Sequence, residues 1–478
     1  AAAFKIADNS TGNVTITLAD GTTNTLISGY ACAGLQKNGG TSTGTLTIQG
    51  ETAGTGALNV TGGNSGAGIG GGKDNSCSNI TISSSTVTAT GGYDSAGIGT
   101  GCDVSYYGIS ASNIEISGGV VIATGNHYGA GIGGGGSGNG TSITISGGTV
   151  TATGGAGIGG SAGSFMFPGG SSSDIVISGG SLKTTSIGCI PTDGTDPVYL
   201  LELTVDGTSA VTINGNANYP KKHFDENKLY VYLPAKTAAA PNEVTIGETT
   251  KYTYDTTNSK WLTVVEAPEE AETTSFTYDG TEKTYALAES DYYTISGNKQ
   301  TNAGTYTVTV ALNDKENTVW SDGTTDDKTY TFTIAKATLD TPINDIVMDF
   351  YLDATGEKTA TASGLPVGMG TETHTIDITD DNGIIAANSV VYGQGRVRFT
   401  LNGFDTEKSG ISATIKVTLS SQNYNDFSFN VIVKLVAKNV QTITADDVIL
   451  TYGDKNGKIT ATTDGDGAIS YSTTSDVI

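Results

Sequence analysis

Apolar residues in the first part of the chain come in short alternating runs broken by glycine pairs. Ile80-Thr81-Ile82, Ile114-Glu115-Ile116, Ile143-Thr144-Ile145 and Ile175-Val176-Ile177 each set their apolar positions two residues apart, the period of an extended strand with one buried side. A second run, TVTAT, stands at Thr86–Thr90 and Thr149–Thr153, with an altered copy at Val120–Thr124. A third phrase, Ala-Gly-Ile-Gly, returns at 67–70, 96–99, 130–133 and 156–159, preceded by Ala33-Gly34-Leu35 and followed by Ser186-Ile187-Gly188. Its anchors, Leu35, Ile69, Ile98, Ile132, Ile158 and Ile187, are spaced by 34, 29, 34, 26 and 29 residues. No segment here carries a helical period long enough to compete.

Each repeat predicts three short strands, with glycine-rich corners that supply positive φ at little steric cost. A unit of this size cannot bury its own apolar side and must stack on its copies. Stacking places the isoleucines in columns at the ~4.8 Å strand spacing, and the crossover rule makes the coil right-handed. The small partners Ala67, Ala96, Ala130 and Ala156 suit a narrow corner. Residues 1–190 are therefore expected to form a glycine-rich right-handed parallel β-helix of five or six coils.

Downstream the repeat dissolves. Residues 191–266 keep strand-like runs and Trp261, which predicts a cap that has grown into a small β subdomain. The acidic stretch 266–274, EAPEEAETT, reads as a linker. Beyond it glycine thins and the alternation lengthens, with turn residues at short intervals, the pattern of β-sandwiches. Sandwich modules are expected at 275–338 and 339–437, and a further Ig-like repeat starts at 438. The pattern breaks off within a strand-like run at Ser475-Asp476-Val477-Ile478, so the chain is expected to continue. The fold class is all-β: a β-helix followed by Ig-like β-sandwich modules.

Tyr278-Asp279-Gly280, Tyr293-Thr294-Ile295-Ser296-Gly297-Asn298, Thr301-Asn302-Ala303-Gly304-Thr305-Tyr306 and the run WSDGTTDDKTYTFTI at 320–334 resemble the YDG-type repeat domain of bacterial surface proteins. Residues 442–471 resemble the opening of an Ig-like repeat. The glycine-rich region is similar to SGGTVTATGG…AGIGGG arrays in large secreted proteins of Gram-positive bacteria. The resemblance implies an extracellular protein of a bacterial cell surface or cell wall. It also implies adhesin-like contact with host or glycan ligands, and it supplies no catalytic residues.

Composition sharpens this picture. Of 68 glycines, 47 lie in the first 189 residues, which sets that region apart from the rest. A net charge of −24 repels phosphate backbones and anionic lipid, which argues against nucleic-acid partners. No run approaches the ~20 apolar residues of a membrane span. The chain is expected to be a monomer.

Parallel β-helices often carry polysaccharide chemistry, which needs paired acids, or a base beside Arg or Lys. The β-helix lacks arginine, and its lysines are Lys5, Lys37, Lys73 and Lys183. No catalytic residues are assigned and no cofactor is required. Asp74 and Asp103 follow the Ala-Gly-Ile-Gly phrase in neighbouring coils, and such a pair can hold Ca²⁺ together with loop carbonyls. Aromatic residues cluster around the same phrase: Tyr93, His127 and Tyr128 before it, Tyr106, Tyr107, Phe165 and Phe167 after it. They either cover the glycine-rich corner as local cores or form a binding face for sugar rings or a protein ligand. Cys77 and Cys102 sit in loops of adjacent coils, where a disulfide is expected to be reachable. The leading expectation is a non-enzymatic adhesin-like protein, a β-helix head on a stalk of Ig-like repeats. The alternative is a polysaccharide-binding or polysaccharide-degrading β-helix.

Overall fold

The computed structural model describes residues 1–40, 42–105, 108–163, 168–206, 210–403, 409–438, 441–451, 453–455, 457–464 and 468–472. Two compact units divide the chain. The first comprises Ala1–Pro268, Ser290–Thr294 and Ala311–Asp327; the second comprises Glu269–Glu289, Ile295–Val310 and Lys328–Ile478.

The front of the first unit is a parallel solenoid of six coils, whose strands fall into three six-stranded sheets. The corner sheet contains the Ala-Gly-Ile-Gly phrases, from Phe4–Lys5 and Leu35–Gln36 to Ala130–Gly133 and Ala156–Gly159. A second sheet runs from Val14–Leu18 to Ser172–Ile177, and a third from Thr23–Ile27 to Ser181–Thr184. Register follows the sequence phrases. Leu35, Ile69, Ile98, Ile132 and Ile158 pair in one column, and each is fully buried. Ile187 extends the column by an isolated parallel bridge. Leu46, Ile80, Ile114, Ile143 and Ile175 make a second column, and Leu58, Val87, Val121, Val150 and Leu182 a third. Each such side chain gains roughly 1.5–3 kcal/mol from burial, and together they form one continuous core.

Glycine is required where coils approach at the corner. A Cβ on Gly92 would stand 1.9 Å from the Gly63 carbonyl oxygen, and one on Gly101 2.3 Å from that of Gly72. Only a residue without a side chain lets the backbones stack there.

Two sheets follow the solenoid. One holds Val198–Thr204, Lys228–Pro234 and Lys222–Asp225; the other runs from Val211–Ile213 through Asn242–Ile246, Glu248–Asp255 and Lys260–Val265 to Thr318–Trp320. Leu201, Ile213, Leu229, Val231, Leu233 and Val244 pack in a core of their own, while Val198 and Tyr232 belong to the solenoid core. This module therefore closes the last coil. Ser181 and His223 are joined by a hydrogen bond of 2.7 Å to the imidazole Nδ1, and Lys183 pairs with Asp225.

The second unit is also built of sheets. Ser275–Thr277 and Lys328–Ala335 are parallel neighbours in a four-stranded sheet over a core containing Tyr285, Val308, Phe332 and Ile334. A larger pair of sheets follows. One orders Ile346–Tyr351, Phe427–Val436, Ser412–Ser421 and Glu372–Thr379; the other orders Gly356–Thr361, Arg396–Leu401 and Val391–Gly393. Alternating residues such as Val397, Phe399, Ile415, Val417, Val431 and Val433 are buried in one core, as in Ig-like sandwiches. Ile443–Ala445 and Ala461–Thr463 form a short antiparallel pair. Among the described residues, no helix is long and apolar enough to cross a membrane.

Candidate aromatic corner of the solenoid

Turns before the corner strands stack in order. Gly63 donates its amide to Cys32, Gly92 to Gly66 and Asn126 to Ser95, which makes Asn64, Tyr93 and His127 counterparts in successive coils. On the far side of each strand the chain returns against these turns. Lys73 donates to the Ala31 carbonyl, Cys102 to that of Ser65, and Gly136 to that of Asp94. The residues before and after the corner strand thus meet at one edge.

Three rings come together at that edge. Tyr93 stacks on His127, with centroids 5.0 Å apart and an interplanar angle of 23°. Tyr128 tilts against His127 at 3.8 Å. Tyr93 is 52% exposed, so the ring cluster is open to solvent and does not seal the corner. The imidazole is held from below: its Nδ1 lies 2.6 Å from the Asp94 Oδ1, and Asp94 is itself buried. A carboxylate at Nδ1 places a proton on that nitrogen and fixes the orientation of the ring. Asp94 and His127 both adopt left-handed backbone, φ 54° and 55°.

Asp74 and Asp103 do stand in successive coils, since the Asp74 amide donates to Cys102 and the Asp103 amide to Gly136. Their carboxylates are engaged by the loop backbone. The Val104 amide donates to Asp74 Oδ1 at 2.9 Å, and the Gly108 amide to Asp103 Oδ2 at 2.9 Å. Among the described residues, no group of three or more His, Cys, Asp or Glu is placed to hold a metal ion. The acid and base of glycoside hydrolysis need two carboxylates facing a shared bond, and these two serve loop amides.

The Cys77–Cys102 disulfide that the sequence leaves open does not form in the structure, in which all four cysteines are free. Cys77 follows its anchor Ile69 by eight residues, whereas Cys102 follows Ile98 by four. Cys77 opens a strand and pairs with Ala111 in the next coil, while Cys102 occupies the loop place held by Lys73 one coil earlier. Burial pushes the Cys102 thiol up to about 11, reinforced by the carboxylates of Asp94, Asp74 and Asp103. Burial likewise raises Cys77, to about 12.

Of the aromatic residues singled out in sequence, Tyr93, His127 and Tyr128 meet here. Tyr106, Tyr107, Phe165 and Phe167 lie outside the described residues. Asp94 was absent from the sequence-derived site. No sequence signal marks it, because it lies one coil back from His127 but one place further along the turn.

The beta helix repeat family matches residues 80–102, 114–136 and 143–162, all between the third and sixth coils. No curated protein matches the chain. Among solved structures, the human desmocollin-1 ectodomain aligns at 10% identity over 52% of this chain and 57% of its own, with a TM-score of 0.17. An endo-fucoidan hydrolase of glycoside hydrolase family 107 aligns at 10% identity over 51% of this chain and 42% of its own, also at 0.17. Immunoglobulin domains 1–4 of sidekick-1 align at 11% identity over 55% of this chain and 78% of theirs, at 0.15. The chain thus spans little more than half of the desmocollin and less than half of the hydrolase. The repeat match and the register together describe a chain whose front part contains beta helix repeats.

Proposed function

We propose that this is a secreted or cell-surface protein whose solenoid binds a neutral polysaccharide without cleaving it, displayed by the β-sheet modules downstream of it. The observation that carries the reading is the open stack of Tyr93, His127 and Tyr128 across two coils. Aromatic faces offer apolar contact to the C–H face of a pyranose ring, and an oriented imidazole nitrogen offers a hydrogen bond at its rim. The strongly negative chain disfavours uronate-rich or sulfated polymers. Host glycans fit the same chemistry, so an adhesin-like role is one form of this reading.

The test is a glycan array combined with reducing-end and unsaturated-product assays. The expected result is binding to a neutral glycan that falls at least about tenfold, 1.4 kcal/mol, in both Tyr93→Ala and His127→Ala, without product release. Binding unchanged in both variants would reject the corner as the site. Turnover of any polymer would replace binding with catalysis.

A further inference from the structure

We infer that the cleft between the last solenoid coil and the module that closes it is a second ligand site, built for an uncharged sugar unit. The cleft has a volume of about 490 Å³, and its lining includes Ile187, Cys189, Val198, Tyr199, Tyr232 and Tyr254. That volume is within the ordinary range for small-ligand pockets. Its position is also typical, since ligands favour junctions between structural elements.

One wall is a fixed aromatic assembly. Tyr199 and Tyr254 stack at 3.8 Å and 20°. Trp261 meets Tyr254 edge-on at 5.0 Å and is anchored by its indole N–H donating to the Leu200 carbonyl at 2.8 Å. Such rings are held before any ligand arrives, which lowers the ordering cost of binding. The lining also carries the hydroxyls of Thr184, Thr185 and Ser186, of which Thr184 Oγ1 donates to the Ser186 carbonyl and Ser186 Oγ accepts from the Gly157 amide. No Asp, Glu, Lys, Arg or His is among the lining residues, although the chain as a whole carries −24. Apolar faces, hydroxyls and no charge match a neutral pyranose, which pairs a C–H face with a rim of hydroxyls. An anionic ligand would find no cation, and a metal ion would find no carboxylate.

Exposure at the mouth supports access. Ile190 is 62% exposed and Leu200 42% exposed, so apolar surface at the rim remains uncovered. Cys189 lines the same cleft and is partly accessible, which makes it a built-in reporter. The inference stands independently of the aromatic corner, from which it uses no residue.

The experiment follows alkylation of Cys189 and Cys32 in the full chain by peptide mass spectrometry. Maltohexaose, cellohexaose, mannohexaose and xylohexaose serve as neutral probes, hexagalacturonate as the anionic one, and a leucine-rich peptide as the protein-like one. At several times its dissociation constant, one neutral hexamer is expected to slow Cys189 alkylation by about fivefold while leaving Cys32 unchanged. Thr185→Trp, at an exposed position on the rim, is expected to abolish that protection. Tyr93→Ala is expected to preserve it, which separates this site from the corner. The inference is overturned if no neutral hexamer protects Cys189, if protection survives Thr185→Trp, or if only the anionic or peptide probe protects.

Discussion

His127 illustrates how much a single residue gains from its neighbours one coil away. In sequence it is one of three scattered histidines, and nothing local marks it. Counted back from the Ala-Gly-Ile-Gly phrase, it stands three residues before Ala130, as Tyr93 stands three before Ala96. That count makes the ring stack legible, but it leaves Asp94 one place out of line. The offset arises because the left-handed residue of the turn is Asp94 in one coil and His127 in the next, a backbone choice without a sequence rule. The Asp94–His127 bond joins a buried carboxylate to a half-exposed ring, so Asp94→Ala is expected to lower stability by about 1–2 kcal/mol in denaturant unfolding. Cys102 permits a pH prediction at the same scale. Its folded thiol is raised from an ordinary 9.0 to about 11, so the protonated form is favoured by folding. The stabilisation is complete below pH 9 and is lost as pH rises through 11. Alkylation of Cys102 in the folded protein should be negligible at pH 8 and rise steeply only above pH 10, while Cys102→Ala should flatten the alkaline loss of stability between these limits.

Strands were legible wherever apolar residues alternated, because a period of two leaves no other way to bury one side. The starts of the second sheet's strands were not. Strands such as Ser110–Ile116 and Asn139–Ile145 begin well before their isoleucine triplets. Register runs Ser112 to Thr141 and then jumps to Ile114 and Ile143, passing over Asn113 and Ser142, whose φ values are 52° and 50°. These are stacked bulges, and an extra residue breaks the alternation that sequence reading depends on. Polar side chains that tolerate left-handed backbone hold them, with Asn113 donating to Asn79 at 3.0 Å. The column logic separates two isoleucines of neighbouring coils. Ile132 is fully buried, and Ile132→Ala is expected to cost about 2–5 kcal/mol. Ile122 points outward at 38% exposure, and Ile122→Thr should stay within about 0.5 kcal/mol. Equal costs in paired denaturation curves would contradict the register.

At the scale of the whole chain, repetition made the solenoid readable, and its absence hid the rest. Thr318–Trp320 shows why. Three residues without lengthy alternation give no sign that they pair in parallel with Lys260–Val265 and bury Trp320, so a stretch expected within a 275–338 sandwich contributes to the first unit. The closing module was legible only as a region where the repeat stops. Its function in the fold rests on Val198 and Tyr232, which enter the solenoid core from a separate sheet. In a stacked array each coil is stabilised by its own packing and by its neighbours, so the last coil depends on those two side chains for the contact that a seventh coil would give. Tyr232→Ala removes a buried aromatic residue, and large-to-small changes of this kind cost about 3–5 kcal/mol. The loss should be local. Hydrogen exchange in Ser172–Ile177 and Ser181–Thr184 should accelerate by two orders of magnitude or more, about 2.8 kcal/mol in local opening, while amides of Cys77–Ile82 keep their wild-type protection. Uniform acceleration through all six coils would instead mean that the solenoid unfolds as one cooperative block, in which case the closing module stabilises every coil alike.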